Sequence, residues 1–131
     1  MTKVFLGGTR NNSTWREELI KKLKIGYFSP IAEYWNKEAQ YKEIRQRKEC
    51  DFILYVITPK MQGSYSIAKV VDDSNKRPEE TLLLILESDE NDVFTIGETR
   101  SLQMVSKMIE HNGSKVFLDL KGVANFLNKR K

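Results

Sequence analysis

The chain has 131 residues, 40% of them hydrophobic, which suits one domain whose core is covered on two faces. A single cysteine and a single histidine exclude an internal disulfide and leave no cluster with metal-ligand spacing. The net charge of +4 is interleaved with acids rather than gathered into a stripe, which argues against nucleic acid as a partner and for modest attraction of anionic ligands.

The first apolar run, residues 4–6, reads as a strand that leaves through Gly7-Gly8-Thr9-Arg10-Asn11-Asn12-Ser13. Residues 13–24 follow as a helix, with Ser13 as its polar cap and Leu19, Ile20 and Leu23 as its inward stripe. Tyr27-Phe28 is a short second strand, Tyr34-Trp35-Asn36 the loop after it, and residues 37–49 a second helix. The runs 52–57 and 82–86 are continuously apolar, as in strands of a parallel sheet covered by helices on both faces. A helix over 65–75 joins them, and Arg77-Pro78 closes it. The acidic stretch 88–98, with Gly97, reads as an ordered flap. A helix over 99–112 stopped by Asn112-Gly113, a strand over 116–118 and a helix over 120–130 complete the pattern. This alternation predicts one α/β domain over residues 1–131, a flavodoxin-like, doubly wound five-stranded parallel sheet in three layers with strand order 2-1-3-4-5. No apolar run approaches the roughly 20 residues that span a bilayer, and Gly7-Gly8 follows Met1 too soon for a signal peptide, so a soluble cytoplasmic protein with no membrane partner is expected.

In such a sheet a ligand binds outside the carboxyl ends of the strands where the order reverses, between the first and third strands. The first of these ends in Gly7, Gly8 and Thr9, whose backbone can approach a ligand closely, followed by Arg10, which can pair with a phosphate, and a helix N-terminus that favours anions. The segment matches neither a dinucleotide fingerprint nor a phosphate-binding loop, and a tight turn capped by Ser13 is the plainer alternative. The third strand leaves through Thr58-Pro59-Lys60-Met61-Gln62-Gly63-Ser64-Tyr65-Ser66, so Thr58, Gly63, Tyr65 and Ser66 face the first loop across the same crevice. Thr58 also stands where a response regulator carries its phosphoacceptor aspartate, which disfavours that class. Trp15, Tyr34 and Trp35 can stack a nucleobase, although Trp15 suits the core equally well. Cys50 and Asp51 read as structural.

Residues 3–9, Trp15-Arg16, the run from Asp51 to Pro59 and Gly63-Ser64-Tyr65-Ser66-Ile67-Ala68 together resemble the nucleoside 2-deoxyribosyltransferases, in particular a small phage and bacterial branch. The resemblance implies binding of a small-molecule nucleoside or nucleotide without a cofactor, glycosyl transfer by a glutamate nucleophile, and a homo-oligomer. That glutamate stands in a Gly-x-Tyr-Glu-Leu-Gly frame, and Ser66 occupies its position here. A neutral hydroxyl lacks both the charge and, without a base, the nucleophilicity for capture of an oxocarbenium-like carbon. Glu43 stands about where the family carries the acid that assists the leaving base; it equally fits a solvated helix face paired with Arg47 at i+4. Two functions therefore stay open: cleavage or transfer at the N-glycosidic bond, with Glu43 and Ser66 as candidate catalytic residues, or a nucleotide-binding or sensor module without transfer.

Overall fold

The computed structural model describes residues 1–10, 12–31 and 35–131; Asn11 and Tyr34, named above as polar and stacking candidates, lie outside them. Its sheet is built from β1 (Lys3–Gly8), β2 (Gly26–Phe28), β3 (Phe52–Ile57), β4 (Thr81–Ile85) and β7 (Lys115–Phe117), in the order β2-β1-β3-β4-β7. Every neighbouring pair is parallel. The register puts Gly8 beside Val56 and Ile57 beside Ile85, so the carboxyl ends of the three central strands lie together. The expected flavodoxin-like sheet and its strand order are therefore observed.

The side-chain alternation of the central strands divides the core. Val4, Leu6, Leu54, Val56, Leu82 and Leu84 pack with Trp15 and Leu19 of α1 (Trp15–Ile20) and with Val123 and Leu127 of α5 (Leu120–Asn128). Phe5, Ile53, Tyr55, Ile57 and Leu83 face the other way, toward Val70 of α3 (Tyr65–Lys76) and Leu102 and Ile109 of α4 (Ile96–His111). The strand cores are thus apolar on both faces, which is why β3 and β4 read as unbroken hydrophobic runs. No helix among the described residues is long and apolar enough to cross a membrane.

Two elements differ from expectation. The first helix spans Trp15–Ile20 rather than residues 13–24; it starts late because Ser13 donates its N–H to the Arg10 carbonyl and Asn12 sits at φ 60°, a left-handed turn that asparagine tolerates. The acidic 88–98 stretch is ordered as a two-stranded hairpin, β5 (Ser88–Asp89) with β6 (Asp92–Val93), followed directly by the start of α4. That start lies three residues earlier than the sequence suggested. Thr95 and Glu98 form a reciprocal capping box, and a Thr-x-x-Glu pattern is a sequence signal for it. The second helix, α2, spans Lys37–Glu49 as expected, with the Asn36 side chain accepting from the Ala39 N–H.

Candidate functional site

A crevice of about 380 Å³ opens at the carboxyl ends of β1 and β3, in the range of small-molecule sites. Its walls come from the loop after β1, from α2, and from the 58–64 loop with the first turns of α3. Of the residues singled out from the sequence, Gly8, Thr9, Arg10, Trp35, Glu43, Gly63, Tyr65 and Ser66 line it.

The first wall is held by Arg16, which is 3% exposed. Its guanidinium donates from Nε to the Leu6 carbonyl at 3.1 Å, from NH1 to Thr9 at 2.7 Å and from NH2 to Gly8 at 3.2 Å. Trp15 Nε1 donates to the same Thr9 carbonyl at 2.8 Å, and the Arg16 cation lies 4.4 Å from the Trp15 ring centre. Burial, reinforced by the Arg10 cation and opposed by Glu17 and Glu43, pushes the Arg16 guanidinium down to about 10, so it is still charged at neutral pH. The bonds fix the turn from β1 into α1. A planar cation with several fixed donors is suited to gathering three carbonyls at once.

Gly8 has φ 113°, and a Cβ there would lie 2.0 Å from the Val56 carbonyl oxygen. Only glycine fits this backbone conformation beside β3. The two loops are then tied directly, since Thr9 Oγ1 accepts from the Thr58 N–H at 3.0 Å and the Thr9 N–H donates to Val56 O at 2.9 Å.

Three sequence candidates stand behind the wall rather than in it. Trp15 is 2% exposed and belongs to the core, with its indole N–H used up on the loop. Thr58 is fully buried and its Oγ1 accepts from the Lys60 N–H. Gly7 faces inward, where a Cβ would meet the Tyr55 ring at 2.9 Å, so its small size serves packing against β3.

Glu43 does not take the helix-face pairing with Arg47 that its spacing allows. Its side chain is 13% exposed, and Oε1 accepts from Arg10 NH2 at 2.9 Å while lying 3.7 Å from Lys69 Nζ. Arg47, the helix-face partner suggested by spacing, turns instead to Asp73, donating from Nε and NH2 at 3.0 Å each, and to Asp72 at 3.4 Å. Asp73 also accepts from the Tyr55 hydroxyl at 2.6 Å. Burial, with the Asp73 hydrogen bond and charge, pushes that phenol well above its ordinary range, against the opposing pull of Arg47. This Tyr55–Asp73–Arg47 group joins β3, α3 and α2, with the half-buried Arg47 at the crevice wall.

Trp35 and Tyr65 are 56% and 72% exposed and offer ring faces at the mouth. Arg10 lies 5.6 Å from the Trp35 ring centre and Lys69 4.8 Å from that of Tyr65. Ser66 is half-buried on the α3 wall, one helical turn before Lys69. Lys69 and Arg16 were not among the sequence candidates. Arg16 enters the sequence reading only within the Trp15-Arg16 pair of the family resemblance.

The reading of Cys50 and Asp51 as structural fits their places. Cys50 is buried and burial raises its thiol, while Asp51 Oδ2 accepts from the Lys3 N–H at the far, amino end of the sheet. Outside the crevice, Lys60 bridges the 58–64 loop to Glu90 and Asp92 of the hairpin.

Glu43 is the one carboxylate among the described residues lining the crevice. It is flanked by cations on two sides, and Ser66 lines the same crevice from α3. No curated protein and no solved structure gives a match to the chain. A family model described as nucleoside 2-deoxyribosyltransferase like matches residues 1–77, a span that contains every residue lining the crevice. With more than half of its length matched, the chain belongs to the nucleoside 2-deoxyribosyltransferase-like family.

Proposed function

We propose that the crevice binds a (deoxy)nucleoside or nucleotide, and that Glu43 is the carboxylate it offers for cleavage or transfer at the N-glycosidic bond. The observation that carries this reading is the meeting of both strand-end loops around an acid with two exposed ring faces nearby. The aromatic faces suit a base, and a carboxylate suits a carbon that gains positive charge as the base departs. Ser66 supplies no carboxylate on the opposite wall, so turnover is slow beside a relative with glutamate there.

A second reading, a nucleotide-binding or sensor module without transfer, is favoured by the same Ser66 and by the engagement of Glu43 with Arg10 and Lys69, which lowers its availability as a nucleophile or acid. One experiment separates the two. Deoxynucleosides and their monophosphates are titrated against tryptophan fluorescence, Trp35 being at the mouth, and the same mixtures are followed by chromatography for exchange of thymine for adenine. Binding with Glu43-dependent exchange supports the first reading; binding with no exchange supports the second; no binding at millimolar concentration removes both.

A further inference from the structure

Lys69 is 8% exposed, yet it lines the crevice. Its nearest carboxylate oxygen, Glu43 Oε1, is 3.7 Å away, which is ion-pair distance but too long for a hydrogen bond. That oxygen already accepts from Arg10. Among the described residues, the ammonium meets no hydrogen-bond acceptor, and the Tyr65 ring occupies another side of it.

The charges do not cancel. Arg47 is satisfied by Asp73 and Asp72, which leaves Arg10 and Lys69 sharing the single carboxylate of Glu43. One positive charge is therefore in excess at the crevice wall, on an ammonium whose stem is buried and whose head, with three donors, opens on the crevice. Burial holds the Lys69 ammonium below the usual lysine range, with Glu43 opposing the fall and Arg10 and Arg47 adding to it. A neutral nucleoside offers this cation only hydroxyls. A phosphomonoester offers three acceptor oxygens and a charge of about −1.5 to −2 at neutral pH.

We infer that the crevice selects a phosphomonoester ligand, a nucleoside monophosphate over the free nucleoside, with Lys69 and Arg10 as the side chains that hold the phosphate. The inference rests on the proposed binding of a nucleoside derivative and names its charged form. Both cations contact the same carboxylate oxygen, so they are close enough for one phosphate to reach them together. Glu43 opposes the dianion, so it keeps the phosphate on the side of the cations turned away from it and moderates affinity.

The test is titration of thymidine, its 5′-monophosphate and inorganic phosphate at fixed ionic strength against the natural protein, Lys69→Met, Lys69→Arg and Glu43→Gln. The natural protein is expected to bind the monophosphate at least about tenfold more tightly than thymidine, the gain of one good charge-assisted contact. In Lys69→Met that preference falls to about twofold or less, Lys69→Arg retains most of it, and Glu43→Gln increases it. Equal affinity of the natural protein for thymidine and its monophosphate overturns the inference and leaves the nucleoside reading standing. Tight binding of inorganic phosphate with no gain from an attached nucleoside overturns the nucleoside reading and leaves an anion site. The comparison of ligands on the natural protein decides the matter even where a variant fails to fold.

Discussion

Arg16→Met is expected to loosen the β1–α1 loop and to cost stability at the same time. Three hydrogen bonds from a charged donor are lost, each contributing roughly 1.5–3 kcal/mol where the acceptor carbonyl stays buried. Against this, the substitution relieves the burial of a cation. Burial, with the Arg10 cation, lowers the guanidinium from its ordinary value to about 10, and at ~1.4 kcal/mol per unit its relief returns about 3.5 kcal/mol. The net loss is about 1–5.5 kcal/mol, set against the roughly 5–15 kcal/mol that holds a domain together. Arg16→Lys recovers only part of it, since one ammonium cannot span the carbonyls of Leu6, Gly8 and Thr9 in the fixed geometry of the fork. Urea unfolding at neutral pH measures the loss. The near-UV signal reports on the loop separately, because Trp15 shares the Thr9 carbonyl with Arg16. A loss below about 1 kcal/mol with unchanged nucleotide affinity would refute the reasoning, showing that Gly8, Thr9 and the β3 ladder shape the loop without the cation.

Gly8→Ala forces a Cβ to within 2.0 Å of the Val56 carbonyl at a positive φ, so a loss of several kcal/mol, about 3 or more, is expected in the same unfolding assay; an undiminished urea midpoint would contradict it. Tyr55→Phe removes a hydrogen bond to a charged acceptor and should cost about 1.5–3 kcal/mol at pH 7. Because the folded Tyr55 phenol is raised above its ordinary value of 10, its contribution is fully present below pH 10 and is lost as the pH climbs beyond it. The natural protein should therefore lose stability above pH 10 more steeply than Tyr55→Phe, and equal alkaline slopes in thermal melts would exclude the effect. Ser66→Glu restores a carboxylate to the α3 wall and should raise base exchange by about 10²-fold or more, read by chromatography; retained binding without any gain in exchange would show that position 66 does not face the reacting carbon.

The fold was legible because its signals are local or follow from chirality. The unbroken apolar runs of β3 and β4 announce burial on both faces, and the right-handed crossover rule then fixes the order of the remaining strands. The crevice followed from the same topology, as the two loops at the switch point must face each other. What lay beyond reach was the pairing of charges. Spacing alone offers Arg47 to Glu43 along α2, whereas in the folded chain Arg10 and Lys69 arrive at Glu43 from two other elements and Arg47 leaves for Asp73. Trp15 and Thr58 were misplaced for a related reason. Their positions beside the crevice are right, but an indole N–H directed at the Thr9 carbonyl and a buried threonine cannot be distinguished by sequence from ligand-facing groups. The early start of α4 is different, since Thr95 and Glu98 carry a readable capping pattern that Gly97 obscured.

The electrostatics also bear on why a serine at position 66 is compatible with this crevice. A glutamate there would stand one turn before Lys69 on α3, and a carboxylate at i–3 competes with Glu43 for that ammonium. Were Lys69 drawn toward position 66, Glu43 would be left with Arg10, whose side chain is 38% exposed and more strongly screened. With serine, the buried cation faces Glu43 and the open crevice, and its remaining donors are free for a ligand that carries its own negative charge. The serine that, on the proposed reading, supplies no carboxylate for glycosyl chemistry is then the same residue that leaves Lys69 unclaimed on its own helix. On the proposed reading, the missing carboxylate and the preference for an anionic ligand both follow from the residue at position 66 through the electrostatics of the α3 wall.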